Sequence, residues 1–374
     1  MSKFISHEEH AAASSTFQLH ADGLPSISIG SDQKWIAVSQ LQKAIRRGEA
    51  PTAIAWARSL WDADPSYGMF RMSVIAAEEV AGANPALARA FLQTEIKKVW
   101  FDERSGFSSF AYFVEAFALS PKDRTSCDLA SVASIAHLSG VAEARGALDY
   151  GSLRTLAESS EASVPARMSA LWLLAGTQKV SNGALGPDRP GRLVDFLGAC
   201  MAICPDGDLL VCIDLSLRLN KEPNPIGLAL CRAAQKNLPL STMTTLSTPT
   251  KKIGSGLLCA IDAHTREGRL AIDALLAGSE PARLICSALS SKADKSKLLG
   301  STFFHLEGHE VAPRLDYPLA QRAQAWQRKK LARIARMDEV DLFEQARKLL
   351  PALDTLRHAH ALWAFASPGR VPKP

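Results

Sequence analysis

Apolar residues recur at intervals of three and four positions along most of this chain, which is the spacing of the buried face of an α-helix. The segment 41–85 has the clearest pattern. It predicts consecutive helices at about 35–47, 52–64 and 67–81, which end at Gly48, Asp64-Pro65 and Gly82. Further helices are predicted at 85–99, 107–118, 128–138, 141–157, 165–176 and 190–203.

The second half of the chain continues the helical pattern. Short apolar segments at 209–219 and 226–237 precede a Ser/Thr-rich stretch, 240–250, that predicts an exposed loop. After Asp262 the spacing predicts two more helices, a basic helix from Pro318 to Arg336, a helix from Val340 to Leu353 and a short final helix. No repeat with a period of 30–50 residues is present, so we predict an all-α, irregular multi-helix bundle and not a solenoid.

Breaks in the pattern predict the domain organisation. Residues 1–34 are polar and predict an N-terminal arm, with one alternating stretch, Ser26–Ile29, typical of an isolated strand. The Gly- and Pro-rich break at 186–190 predicts a boundary between helical domains at 35–185 and 190–366. The tail, 367–374, contains three prolines and is expected to be frayed.

Composition narrows the class of protein. Of the 374 residues 47% are hydrophobic and 22% charged, as in globular proteins. The longest apolar run is interrupted by proline and aspartate, far short of the roughly 20 apolar residues of a membrane span, and the N-terminus does not resemble a secretory signal. Seven cysteines in apolar surroundings predict reduced core residues. Together these features predict a cytoplasmic location.

Three stretches resemble a known module. They are LQKAIR (41–46) followed by AIAW (53–56), AAEEVAG (76–82) followed by Asn84-Pro85, and IDAHTREGR (261–269) followed by Phe303-Phe304 and Glu307-Gly308. In this order they resemble the C-terminal region of the MgsA, or replication-associated recombination protein A, family of clamp-loader-like AAA+ ATPases. The resemblance covers about a quarter of the chain.

The resemblance implies a helical, collar-like module that oligomerises and works with replication or repair proteins. In this interpretation an assembly interface is formed by Lys43, Arg46, Trp56, Glu78 and Gly82. The chain has no Gly-x-x-x-x-Gly-Lys-Ser/Thr motif, and the Lys251–Gly256 segment places its lysines before the glycines. We therefore predict no ATPase activity of its own, no cofactor, and an AAA+ ATPase as a partner in trans.

Two clusters of basic residues are candidates for anion binding. His264, Arg266 and Arg269 lie within six residues, and two guanidiniums with an imidazole are suited to phosphate. Positions 262, 266 and 269 would share one helical face. The alternative to anion binding is the start of a surface helix with Asp262–Arg266 and Arg266–Glu267 charge pairs.

The predicted helix 318–336 contains the second cluster. Its basic stripe, defined as Arg322, Lys329, Arg333 and Arg336, has spacings of seven, four and three and is flanked by Arg328 and Lys330. Such a stripe neutralises nucleic-acid phosphates. The alternative is a solvated helix whose apolar side, Leu319, Ala323 and Leu331, packs on the body of the protein.

Other constellations favour structural roles. His305, Glu307 and His309 alternate and, on an extended backbone, would present three metal ligands to one side; the alternative is an exposed loop. Adjacent helical residues such as Glu78 and Glu79 point about 100° apart, which excludes a shared carboxylate site. Cys200, Cys204 and Cys212 lack further ligands at zinc-site spacing. We therefore predict no catalytic residue and no metal ligand.

These observations leave three functional hypotheses. The first is a non-catalytic accessory protein of DNA replication, recombination or repair that self-assembles and binds DNA or replication proteins. The net charge of +5 is compatible with nucleic acid. The second is a protein-interaction adaptor or inhibitor without a nucleic-acid role. The third is a metal-dependent hydrolase or nuclease using His264 or the 305–309 segment.

Overall fold

The computed structural model describes residues 33–97, 106–135, 139–147, 149–236, 238, 241–243, 251–254 and 256–366. These residues form an all-α multi-helix bundle, as the apolar spacing predicts. The predicted strand at Ser26–Ile29 and the tail 367–374 lie outside the described residues. None of the described helices is both long enough and apolar enough to cross a membrane.

The first half of the chain contributes ten helices within the described ranges. They are α1 (Lys34–Arg46), α2 (Ala50–Ala63), α3 (Pro65–Ile75), α4 (Pro85–Lys97), α5 (Gly106–Leu119), α6 (Thr125–Ala133), α7 (Ser139–Gly146), α8 (Tyr150–Glu158), α9 (Val164–Ala175) and α10 (Leu193–Ile203). The single helix predicted at 141–157 is two helices. A new helix begins there because the Asp149 carboxylate accepts a hydrogen bond from the backbone N–H of Ser152, 2.9 Å away, and so caps α8.

The second half adds seven helices and four short strands in the described residues. The helices are α11 (Gly207–Leu219), α12 (Leu228–Gln235), α13 (Arg266–Gly278), α14 (Glu280–Ile285), α15 (Lys292–Phe303), α16 (Pro318–Ala335) and α17 (Glu339–Ala366). Strand β1 (Ser241–Met243) pairs antiparallel with β4 (Arg314–Asp316), and β2 (Lys252–Ile253) pairs antiparallel with β3 (Gly256–Leu257).

The sequence predicted that the helix beginning at Val340 ends near Leu353 and that a short final helix follows. In the structure, α17 is one helix that continues through Pro351 to Ala366. An internal proline costs a helix about 3 kcal/mol because it lacks an N–H and crowds the preceding turn. Leu349, Leu350 and Leu353 are all buried on the same side. Their burial on both sides of the proline holds the two halves of the helix against one core and outweighs the lost hydrogen bond.

Two hydrophobic clusters form the core. The larger one contains side chains from α1 to α12 and from the first half of α16. The smaller one is built by α13 to α15, the second half of α16, and α17. Helix α16 therefore belongs to both. The predicted boundary at 186–190 stays a prediction, and the larger cluster contains residues from either side of it.

Two π-helical turns, one beside each cluster, share a local design. The first, Ala76–Val80, extends α3, and the second, Phe304–Gly308, extends α15. The fourth residue of each turn is a buried glutamate, Glu79 or Glu307, and a proline follows each glutamate six positions later. The sequence contains this pattern twice without any wider periodicity.

The C-terminal end of α1 lies between the two π turns. Arg46 donates to Oε1 of Glu79 from Nε at 3.0 Å and from a terminal nitrogen at 2.6 Å, and it also donates to the carbonyl oxygen of Gly308. Arg124 donates to the same Glu79 oxygen. Glu307 pairs with Arg357 at 2.6 Å. The two turns are thereby joined by charged side chains withdrawn from water.

Four of the five residues predicted to form an assembly interface are buried inside the chain. Lys43 pairs with Asp262, Arg46 with Glu79, and Trp56 is fully enclosed in the larger cluster. Gly82 is also buried, and Glu78, half-buried, accepts from Asn224 at 2.7 Å. These contacts join segments of one chain, and the assembly interface stays a prediction.

The charge of Glu79 should be important for stability. Burial by itself would raise its pKa, but Arg124 and Arg46 outweigh this effect and lower the pKa from 4.5 to about 2. We expect Glu79→Gln to lower the free energy of unfolding by about 3–5 kcal/mol, because Arg46 is left buried without its counter-ion and Arg124 keeps only the longer, 3.8 Å pair with Glu78. Urea denaturation at pH 7 measures this change.

The matched control is Glu158→Gln, which removes an exposed carboxylate 2.6 Å from Arg154. Its expected effect is under about 1 kcal/mol. Because the folded-state pKa of Glu79 is lowered, its contribution is complete above about pH 4.5 and is lost as the pH falls towards 2. The difference between wild type and Glu79→Gln should therefore narrow on acidification from pH 5 to pH 2. A difference independent of pH would contradict this account.

Candidate functional site

A cavity of about 1130 Å³ lies beside the smaller hydrophobic cluster, whose Ile272, Leu298 and Leu331 line it. Helices α13 and α15 form one wall, α6 and α16 contribute to the other, and the second π turn contributes to its base. The lining includes His264 and Arg269 from the first basic cluster, Lys330 from the second, and the pair His305 and His309. Three stretches singled out separately in the sequence thus meet at one site.

The first basic cluster is arranged differently from the prediction. Helix α13 begins at Arg266, and the Thr265 hydroxyl caps it by accepting from the Gly268 N–H at 3.0 Å. Asp262 precedes the helix and pairs with Lys43, so the predicted helical face shared by 262, 266 and 269 is wrong. Glycine is required at 268 because a Cβ atom there would lie 1.9 Å from the Asp262 carbonyl oxygen.

The side chains of this cluster reach different places. His264 and Arg269 are exposed and line the cavity, and the His264 ring meets the edge of Phe304 with 5.5 Å between ring centroids. Arg266 is exposed outside the cavity lining.

The apolar and basic residues of α16 lie on different sides of the helix. The apolar side formed by Leu319, Ala323 and Leu331 is buried, as the alternative interpretation of this helix proposed. All four residues of the basic stripe are exposed. In the described part of the chain these residues, Arg322, Lys329, Arg333 and Arg336, have no carboxylate partner within ion-pair distance.

The two flanking cations of α16 have structural contacts. Arg328 pairs with Glu339 at 2.8 Å and lies over the Phe343 ring. Lys330 turns towards the C-terminal end of α6, where it donates to the carbonyl and hydroxyl oxygens of Ser131 and to the hydroxyl of Ser134, each at 3.1 Å. A cation at this end of a helix is also favoured by the helix dipole. Lys330 therefore connects α16 to α6.

The 305–309 segment is neither extended nor a loop, so both predictions for it are wrong. It lies in and directly after the second π turn, which places residues four apart on one side. His305 and His309 lie together with 5.2 Å between their ring centroids, while Glu307 points away to Arg357. No group of His, Cys, Asp or Glu side chains among the described residues is arranged to hold a metal ion.

Burial sets the charge at the base of the cavity. Burial, with His309 as a second cause, lowers the pKa of His305 to about 3, so its imidazole is neutral at pH 7. Nε2 of His309 lies 2.8 Å from Oδ1 of Asp128. Burial would raise the pKa of Asp128, but the contact with His309 outweighs it and lowers the pKa. The base therefore combines a neutral imidazole with a carboxylate that is hydrogen-bonded to His309.

The cations at the opening of the cavity are exposed. We define its mouth as Arg269, Lys292 and Lys297, which line the cavity from α13 and α15. Lys292 pairs with Asp273 at 3.2 Å. Arg269 and Lys297 have no ion-pair partner among the described residues. Phosphate oxygens are suitable ligands for such unpaired cations.

The cysteines have no redox or nucleophilic arrangement in the described structure. All seven are free thiols, and six of them are buried. Cys127 contributes to the cavity lining, but burial raises its pKa well above the usual value, which keeps it protonated.

Sequence reasoning missed the contribution of α6. Asp128, Ser131 and, from α16, Gln327 complete the lining. Gln327 donates to the Asp128 carbonyl oxygen at 3.1 Å and accepts from the Ser131 hydroxyl at 2.9 Å. No local sequence pattern identifies these residues, because they become partners only when α6 and α16 pack together.

No protein-family model matches the chain, and no curated protein or solved structure matches it.

The neighbouring lysines 329 and 330 allow a direct test of the site geometry. We expect Lys330→Ala to lower the free energy of unfolding by about 1.5–3 kcal/mol, because three acceptors on α6 lose a charged donor. Lys329→Ala should change it by no more than about 0.5 kcal/mol, since that side chain is exposed and unpaired. Thermal and urea denaturation of both variants measure these effects. Equal effects at the two positions would contradict the inward placement of Lys330.

Proposed function

We propose that this protein binds nucleic acid through the basic stripe of α16 and the adjoining cavity, as an accessory protein of DNA replication, recombination or repair. The observation that carries the proposal is that the stripe cations and the mouth cations Arg269 and Lys297 are exposed and have no ion-pair partner among the described residues. The basic stripe lies on the same helix as Lys330 and Ile334, which line the cavity, and the mouth cations lie across from it.

Spacing and exposure suit a phosphate backbone. Arg322, Lys329 and Arg333 are separated by seven and four positions on α16 and so form one continuous line, and Arg336 follows directly after the helix in a left-handed conformation. Each cation that neutralises a phosphate releases a condensed counter-ion, which favours binding at low salt. Because no carboxylate among the described residues pairs with Arg322, Lys329, Arg333 or Arg336, their positive potential is available to a ligand.

The biological setting is also part of the proposal. The resemblance of segments 41–56, 76–85 and 261–308 to the C-terminal region of the MgsA family supports a role beside replication or repair proteins, including an AAA+ ATPase in trans. The protein would bind and assemble with these partners and would not catalyse a reaction. Since Lys43, Arg46 and Trp56 are buried, self-assembly would use another surface.

A second candidate function, a protein-interaction adaptor, is favoured by one surface. Helix α10 exposes 85% of Val194 and 49% of Met201, which lie seven positions apart on one side. Adjacent exposed apolar side chains are typical of contact surfaces. A protein that does not respond to DNA and whose native mass changes only with a protein partner would favour this function.

The test of nucleic-acid binding is to replace the four stripe residues with glutamine. We expect the affinity for a labelled single strand at low salt to fall at least about tenfold, because four phosphate contacts are lost. The slope of log affinity against log salt should fall by about 0.7 for each lost contact. Fluorescence anisotropy over a salt series measures both quantities.

The matched control replaces four exposed cations elsewhere, namely Arg145, Lys179, Lys221 and Lys236, and changes the net charge equally. It should retain the wild-type salt slope. If both quadruple variants lose the same affinity, the effect is that of net charge and not of the stripe. If wild-type protein binds no DNA at low salt, the proposed function is wrong.

A further inference from the structure

The cavity beside the basic stripe has three chemically different levels. Its mouth contains the cations Arg269, Lys292 and Lys297, and the carboxylates of Asp273 and Asp294 also line the cavity. Its walls are mainly apolar, with Ile272, Leu298, Leu331 and Ile334 among the lining residues. Its base contains the paired imidazoles of His305 and His309 and the ring of Phe304. This order suits a ligand with an anionic end, a flat apolar body and polar edges.

Charge at the base argues against a deeply bound phosphate. The carboxylate of Asp128 lies there and is hydrogen-bonded to His309. His305 is neutral at pH 7 because burial lowers its pKa to about 3. A neutral imidazole offers one N–H donor and one nitrogen acceptor. This combination of one donor and one acceptor matches the edge of a heterocyclic base, whereas anion binding requires donors or positive charge.

The aromatic groups at the base point to the same ligand. The ring of Phe304 meets both His264 and His309 edge-on, with centroid separations of 5.5 and 6.3 Å. Phe304 and the imidazoles of His264 and His309 thereby form one aromatic cluster in the cavity lining. Proteins that hold single strands commonly stack unpaired bases on such side chains.

Size distinguishes an unpaired base from a paired one. At about 1130 Å³ the cavity is slightly larger than most small-molecule sites, roughly 300–1,000 Å³, and accommodates a nucleotide. A base in a duplex presents only its groove edges and enters a pocket only after it leaves the stack, which costs a few kcal/mol. Unpaired bases in a single strand do not require that separation.

We propose that the cavity between α6, α13, α15 and α16 binds one unpaired nucleobase of a DNA single strand whose phosphates contact the mouth and the basic stripe. This inference rests on the proposed function and adds to it a preference for single strands and a place for the base. Arg269 and Lys297 would contact the flanking phosphates, while His305 would contact the base edge.

The first experiment uses the wild-type chain and three labelled probes of equal length. They are a thymidine-containing single strand, the same strand with abasic residues throughout, and a complete duplex. We expect the intact strand to bind about 10- to 100-fold more tightly than the abasic strand, which is the range of one base contact. The salt slopes of these two probes should agree, because their phosphates are the same.

The second experiment fills the cavity. Ser301 lines it from α15 and is half-buried, so Ser301→Trp places an indole inside. We expect the affinity for the intact strand to fall to that of the abasic strand, with abasic and duplex binding unchanged. The control, Ser287→Trp, adds the same side chain at an exposed position outside the cavity lining and should bind all probes like wild type.

The outcomes separate this inference from the proposed function. Equal wild-type affinity for intact and abasic strands overturns the base-binding inference and leaves phosphate binding intact. Failure of every probe to bind overturns both. The comparison of probes needs no substitution, so the inference stays testable even if Ser301→Trp does not fold.

Discussion

The guanidinium of Arg46 is the contact on which the arrangement of the two hydrophobic clusters depends. It donates to Glu79 in the first π turn and to the Gly308 carbonyl in the second, so one side chain fixes both turns to the end of α1. A buried ion pair adds little net stability compared with apolar packing, but leaving either partner alone is costly. We infer that the pair mainly selects one docking geometry. Any sliding of the second turn would leave a charge without its hydrogen bonds.

That geometry also determines what the cavity contains. The second π turn carries Phe304, His305 and Gly308, and His309 follows directly. Adding one residue to a helical turn rotates the following side chains by about 100° relative to an α-helix. The rotation lets Glu307 point to Arg357 while His305 and His309 face the cavity. The same turn therefore serves the buried ion pairs on one side and the candidate site on the other.

Apolar spacing was sufficient to predict the fold class, the three helices between 35 and 81 and the two faces of α16, because these depend on local periodicity. It was not sufficient for the 305–309 segment, where an alternating pattern and a π turn both fit five residues. The break at Asp149 and the continuity through Pro351 also depend on capping and long-range burial. The partnership of Asp128 with His309 joins residues 181 positions apart, and no local pattern encodes it.

The distribution of positive charge explains how a modest net charge is compatible with a strongly basic face. Several cations are buried and neutralised in place; Lys43, Arg46, Arg124 and Arg357 all have a carboxylate partner. Such pairs contribute little field at the surface, since the opposite charges lie within hydrogen-bond distance. Among the residues that the structure describes, the stripe cations have no such carboxylate partner. A net charge of +5 therefore understates the local potential that an anionic strand would meet along this helix.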